Sequence, residues 1–204
     1  MNWLRPPGPV APGLKIGLLG GSFNPAHEGH LYVADTAIKR LGLDYVWFLV
    51  APQNPLKPVA GMLPLKRRLE LTQVQVGRQP RLKVTDLEQN IASRYTIDTI
   101  RALTARFPGV RFVWLMGSDN LEQFHRWQYW QEIAALVSIA VVLRPGWTLA
   151  PLKAKAKRRL GGRIAIVDGR RNEASATAIR SGTANNRFRR GLGADAALML
   201  ESRP

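Results

Sequence analysis

The chain of 204 residues has no cysteine. That excludes a disulfide framework, a thiolate metal site and a cysteine nucleophile, and it suits a reducing compartment. Acidic residues are scarce: 14 Asp and Glu stand against 30 Lys and Arg, giving a formal net charge of +16 and a pI near 11.3. A field of that sign attracts polyanions, either nucleic acid or small phosphorylated substrates. No stretch is apolar for the ~20 residues that a membrane span requires, so the cytoplasm is the expected location, with no membrane partner. Neither the P-loop pattern G-x-x-x-x-G-K-[ST] nor, after the first predicted strand, the dinucleotide fingerprint G-x-G-x-x-G occurs. There is no internal repeat.

Apolar residues make up 46% of the chain and charged residues 22%, the composition of an ordinary globular protein. A chain this long buries roughly 70% of its unfolded surface without help from disulfides or metals. Met1 to Gly13 carries four prolines and is expected to form a flexible leader, with residues 14–204 as one domain. Strands are predicted at Leu14–Leu19, Tyr45–Val50, Leu82–Thr85, Val110–Met116, Ser138–Leu143 and Ile164–Val167. Helices are predicted at His27–Leu41, Leu65–Val76 and Thr96–Phe107, with a further helix beginning after Gly117 and running to about Leu136. Pro151–Gly162 is Lys/Arg-rich and reads as a surface helix or loop. Strand and helix alternate, so the expected fold is α/β: doubly wound, with a mainly parallel sheet and helices on both faces. Ligands of such sheets sit beyond the carboxyl ends of the strands.

The residues just after the first predicted strand are Gly20-Gly21-Ser22-Phe23-Asn24-Pro25-Ala26-His27-Glu28-Gly29-His30. Two glycines let the backbone turn tightly and approach a ligand. The helix start that follows offers unpaired N–H groups and a partial positive charge, which favour phosphate. His27 and His30 lie three apart and share a helical face; two of the chain's three histidines are here. That spacing, with no cysteine and no suitably placed Asp, is a poor zinc site, and no metal site is expected. Two imidazoles over a helix N-terminus can instead donate hydrogen bonds to phosphate oxygens.

A second candidate anion site is Ala174-Ser175-Ala176-Thr177-Ala178-Ile179-Arg180. Ser175 is a good N-cap. Thr177 and Arg180 then share a face, adding a second hydroxyl and a guanidinium that grips phosphate with two hydrogen bonds. From Lys153 to Arg190 there are twelve Lys or Arg against two acids, either a phosphate-attracting surface or a solvated basic face.

The first string resembles the signature of the HxGH nucleotidyltransferase superfamily, and the second resembles that superfamily's I-S-x-T-x-I-R element, with Ala174 in place of the usual Ile. The resemblance implies a doubly wound, Rossmann-like nucleotidyltransferase fold and transfer of a nucleoside monophosphate from a triphosphate to a phosphate-bearing acceptor. Further segments are similar to those of the bacterial nicotinate-nucleotide adenylyltransferases: Asn54-Pro55-Leu56-Lys57 after the second predicted strand, Ser93-Arg94-Tyr95-Thr96-Ile97-Asp98-Thr99 at a helix start, Gly117-Ser118-Asp119-Asn120-Leu121 followed by Phe124 and Trp127, and Arg144-Pro145-Gly146. The likeness runs from about Leu14 to Arg190 in the same order of elements.

That resemblance implies ATP and nicotinate mononucleotide as substrates, with Mg²⁺ carried by the ATP. It implies catalytic roles for His27, His30 and Arg180. ATP would meet Gly20, Gly21, Ser22, Phe23, Asp119, Ser175, Thr177 and Arg180; the acceptor would meet Asn24, Lys57, Tyr95, Thr96 and Trp127. The residue types suit those roles. Trp127 can stack on a flat pyridine ring, N–H groups around Tyr95 and Thr96 can receive its carboxylate, and Asp119 can accept from a ribose or an adenine amino group. Trp127 and Phe124 are equally suited to a core, and Asp119 to a helix cap. An adenylyltransferase of the same superfamily acting on nicotinamide mononucleotide or phosphopantetheine remains open. So does a basic nucleic-acid-binding protein without catalysis. Weak nonspecific polyanion binding is compatible with either class, and the sequence does not report the oligomeric state.

Overall fold

The computed structural model describes residues 5–52, 60–91, 95–143 and 154–168. These fall within one compact unit, Met1–Gly169. Its strands are β1 (Lys15–Gly21), β2 (Tyr45–Val50), β3 (Leu82–Thr85), β4 (Arg111–Gly117), β5 (Ser138–Leu143) and β6 (Ile164–Asp168). They form one sheet in the order β3-β2-β1-β4-β5-β6, with every pairing parallel. The expected doubly wound α/β fold is therefore present. Central parallel strands are covered on both faces and read as unbroken apolar runs, as in Tyr-Val-Trp-Phe-Leu-Val of β2, where Val46 to Val50 are all fully buried.

Side chains alternate across this sheet into two cores. Ile16, Leu18, Trp47, Trp114, Met116, Ile139 and Val141 point to one face. There they meet α3 (Thr96–Arg106), α4 (Ser118–Phe124), α5 (Trp130–Leu136) and α6 (Lys155–Leu160) through Ile97, Ile100, Leu103, Leu121, Phe124, Ile133 and Ala156. Leu19, Phe48, Val50, Leu115 and Val142 point to the other face and meet α1 (Glu28–Leu41) and α2 (Leu65–Val76). Helix α1 buries the stripe Leu31, Ala34, Ala37 and Ile38 and stops at Gly42 in the left-handed conformation (φ 62°). Glu28 in its first turn and Lys39 and Arg40 in its last complement the helix dipole.

Two of the expected elements have other bounds. The helix predicted to continue to Leu136 is broken. Helix α4 ends at Phe124, Tyr129 takes a left-handed backbone (φ 51°), and α5 starts at Trp130. Edge-to-face packing of Phe124 with Trp127 (5.4 Å) and Trp130 (6.0 Å) accompanies the break, a tertiary arrangement that overrides local helix preference. The first strand also does not stop before its glycines but runs through Gly20 and Gly21. Residues 10–14, expected in or beside the leader, lie on the turn before β4. Gly13 N donates to Gly109 O (2.8 Å), and Val10 and Leu14 pack on the core. No described helix is long and apolar enough to cross a membrane.

Candidate active site

The sheet order reverses between β1 and β4, the neighbours on either side of the point where the chain changes direction. The crevice beyond their carboxyl ends is where doubly wound sheets bind ligands. The Gly20–His30 string leaves β1 there, and Ser118 and Asp119 leave β4 beside it. Both loops thus share one crevice, as the order of motifs along the chain suggested.

The two glycines have a different reason from the one expected. Neither has a positive φ. A Cβ at Gly20 would come within 2.5 Å of the Trp114 indole, and one at Gly21 within 3.2 Å of the Phe23 ring. Glycine here makes room for aromatic rings beneath the strand end. The left-handed position of the turn falls instead on Phe23 (φ 44°), a conformation that costs a bulky residue about 1–2 kcal/mol. Its ring is 2% exposed, held edge-on to His30 at 4.9 Å and tilted against Phe48 at 5.5 Å. Backbone strain of this kind persists only where surrounding packing enforces it, and it clusters at ligand sites. Ser22 is 4% exposed, and its Oγ has no hydrogen-bond partner in the described protein; the same is true of Ser118 Oγ across the crevice.

The two histidines cap α1 reciprocally. His27 is the N-cap with an extended backbone, and its Nδ1 accepts from Gly29 N (3.1 Å). His27 N donates to Nδ1 of His30 (3.1 Å). An imidazole nitrogen takes the place that a Ser or Asp oxygen usually fills. With Nδ1 of each ring accepting, each neutral ring carries its proton on Nε2. The ring centroids are 4.0 Å apart. Two imidazoles are therefore fixed in orientation and tautomer at the helix start by the backbone itself.

Asn24, expected to meet the acceptor, ties down a neighbouring loop. Its Nδ2 donates to Gly61 O (2.9 Å), and its Oδ1 accepts from Leu63 N (3.0 Å). The same loop is held by a residue that sequence reasoning missed. Arg68 of α2 is 1% exposed. Its Nη1 donates to Ser22 O (2.6 Å) and Ala51 O (2.7 Å), its Nη2 to Pro52 O (2.8 Å) and its Nε to Leu63 O (2.9 Å). One guanidinium thus joins the loop after β1, the end of β2 and the segment entering α2. Desolvation pulls its pKa down from the ordinary value. The signal was present in the sequence: Arg68 lies on the inward stripe of α2 with Thr72 and Val76, where a basic residue is out of place unless it is bonded.

On the other side of the crevice, Trp127 is half-buried, edge-on to Trp114 (5.9 Å, 82°) and Phe124 (5.4 Å, 72°). Trp114 is the ring that lies under Gly20, so aromatic contact links the end of β1 to Trp127. Tyr95 is 45% exposed and is the N-cap of α3; Thr96 is the first residue of that helix. Asp119 stands in the first turn of α4. Arg101 joins α3 to α5, with Nε and Nη2 donating to Glu132 Oε1 and Oε2 (both 2.8 Å) and Nη1 to Asp98 (3.2 Å). Further from the crevice, Glu88 accepts from Thr99 Oγ1 (2.9 Å). Burial pushes its carboxyl above the usual range, and the Thr99 bond opposes that in part.

Lys57, Ser175, Thr177 and Arg180 lie outside the described residues. Among the described residues no group of three His, Cys, Asp or Glu side chains comes together to hold a metal.

Comparison with known proteins adds the following. Residues 18–182 match the model of the cytidylyltransferase-like family. A probable nicotinate-nucleotide adenylyltransferase of Parvibaculum lavamentivorans is 48% identical over 188 residues, covering 84% of this chain and 93% of that protein. One from Rhizobium johnstonii is 44% identical over 191 residues, covering 85% and 96%. The solved structure of Plasmodium falciparum nicotinic acid mononucleotide adenylyltransferase complexed with NaAD superposes with a TM-score of 0.64 at 16% identity, covering 78% of this chain and 77% of that one.

Proposed function

We propose that this chain, which belongs to the cytidylyltransferase-like family, is a nicotinate-nucleotide adenylyltransferase of NAD biosynthesis, joining AMP from ATP to nicotinate mononucleotide. The observation that carries this reading is the reciprocal capping of His27 and His30 at the switch point, beside the loops that follow β1 and β4. The relatives that cover most of both chains support the acceptor.

In the reaction an oxygen of the acceptor's 5′-phosphate forms a bond to the α-phosphorus of ATP. The bond from that phosphorus to the bridging oxygen breaks, and pyrophosphate leaves with the electron pair. The acceptor oxygen is already anionic, so no strong base is needed. Catalysis is then positioning plus stabilisation of charge on phosphate oxygens. His30, and secondarily His27, would serve the α- and β-phosphates through Nε2–H, the proton that the caps at Nδ1 fix in place. Ser22 and the backbone around Gly20, Gly21 and Phe23 line the same loop and are assigned to ATP, as is Asp119 in the first turn of α4. Ser175, Thr177 and Arg180 are assigned to the β/γ end and Lys57 to the acceptor phosphate. Mg²⁺ enters bound to the ATP phosphates, as part of the substrate. For the acceptor, Trp127 offers a ring to stack on, and the N–H groups at Tyr95–Thr96 offer a carboxylate seat. The reaction is assigned to the cytoplasm, consistent with the absence of cysteine.

Pyrophosphate release from ATP and Mg²⁺ tests this, with nicotinate mononucleotide, nicotinamide mononucleotide or phosphopantetheine as acceptor. Marked preference for the first is expected. Preference for another keeps the phosphate chemistry and overturns the acceptor. No release with any acceptor overturns the enzyme and favours polyanion binding, which would show as a steep loss of nucleic-acid affinity with added salt.

A further inference from the structure

Two acidic side chains stand beside the half of the site assigned above to an acidic acceptor. Asp98 is in the first turn of α3, two residues past Thr96. Glu132 is in the first turn of α5, beyond the aromatic stretch that holds Trp127. Both meet one cation. Arg101 spreads its guanidinium over both oxygens of Glu132 (2.8 Å each), reaches Asp98 at 3.2 Å, and lies 5.6 Å from the centre of the Tyr129 ring. Tyr129 is the left-handed N-cap of α5, two residues past Trp127. A single side chain therefore fixes the start of α3 against the wall that carries Trp127.

The charges matter as much as the geometry. A carboxylate at the first N–H groups of α3 gains from the helix dipole but sits within about one helical turn of Asp98. Like charges at that range oppose one another and disfavour the charged ligand. An uncharged amide on the same ring would not meet that opposition.

We propose that Arg101 is a positioning residue that sets the preference for an acidic over an uncharged acceptor: its guanidinium neutralises Asp98 and Glu132 and locks the start of α3 to the Trp127–Tyr129 wall. This rests on the acceptor reading given above. Arg101 touches neither the reacting atoms nor the phosphates; it acts through the two carboxylates and the alignment of two helices. Its side chain is 46% exposed, so replacing it leaves no hole in the core.

The test is steady-state pyrophosphate release by wild type and by Arg101→Gln, with nicotinate mononucleotide and nicotinamide mononucleotide each varied against saturating ATP, and ATP varied in turn. Arg101→Gln is expected to raise KM for the acid about tenfold, the scale of one lost charge neutralisation. KM for ATP and KM for the amide should stay within about twofold of wild type on the same scale. The acid-to-amide ratio of kcat/KM then falls about tenfold. Adding Asp98→Asn to Arg101→Gln should restore much of that ratio, because it removes the like charge that Arg101 offsets in the wild type. A purely structural role would weaken both acceptors alike and would not be rescued by a second substitution. An unchanged ratio in Arg101→Gln, or equal loss for both acceptors, overturns the inference while leaving the enzyme's identity intact. Wild-type preference for the amide or for phosphopantetheine overturns the acceptor reading and this inference with it.

Discussion

Two arginines hold the two halves of the site, by opposite means. Arg68, under the loop that follows β1, is 1% exposed and bonds four backbone carbonyls at 2.6–2.9 Å, with no ion pair among the described residues. Arg101, between α3 and α5, is 46% exposed and bonds two carboxylates. A charge buried among carbonyls cannot be lost without leaving those acceptors bare in a low-dielectric interior. A charge shared between surface carboxylates is screened by water and contributes little to stability. On the first side one buried guanidinium ties together the residues just after β1, those just after β2 and the segment entering α2. On the other side the ties are side chains at the surface. This division suits an enzyme whose phosphate chemistry must be held to fractions of an ångström while acceptor choice depends on a few charges.

Four measurements would break or sharpen that contrast. The largest effect is expected from His30→Ala, which removes a donor whose orientation the backbone fixes. kcat should fall by ~10²–10³, read from single-turnover AMP transfer, and a variant that kept full kcat would remove His30 from the chemistry. Arg68→Met comes next. It should lower unfolding free energy by about 3 kcal/mol or more in urea titration, since several buried acceptors lose a charged donor at once, whereas Arg101→Gln should leave the unfolding midpoint nearly where it was. Comparable losses in the two variants would erase the distinction drawn between them. Trp127→Ala should raise KM for nicotinate mononucleotide about tenfold through lost stacking. If KM for ATP rose instead, Trp127 would belong to the other half.

The smallest effect lies away from both arginines, at Glu88. Burial raises its carboxyl pKa above the ordinary 4.5, so the folded state holds the proton more tightly than the unfolded chain. The stability tied to that proton is full below about pH 4.5 and is lost as pH rises through the folded-state value. Glu88→Gln removes the loss and can still accept from Thr99. It should be modestly more stable than wild type at pH 7 and equal to it at pH 4, by thermal unfolding at both values. Greater wild-type stability at pH 7 would show that the Thr99 bond outweighs desolvation.

Much of the fold was legible because its signals are local. The unbroken apolar run Tyr45–Val50 reports burial on both faces of the sheet, the stripe of α1 reports one buried face through its period of 3.6 residues, and both patterns survive in any tertiary setting. The break at Tyr129 was not legible. Phe124, Trp127 and Trp130 keep a helical spacing, and only their packing with one another and with Trp114 shows that the helix stops. Gly20 was noticed for the wrong reason, since a glycine that clears space for a distant indole looks the same in sequence as one that turns the chain.

The sequence by itself determined the alternation of strand and helix, the excess of positive charge, and the placement of His27 and His30 one turn apart after the first strand. All three are set by residues close together in the chain. Tertiary structure decided which strand lies beside β1, that Arg68 reaches Ser22 across 46 residues, and that Arg101 reaches Glu132 across 31. Those contacts depend on strand order and crossover, which bring remote residues together through a core that no local period encodes.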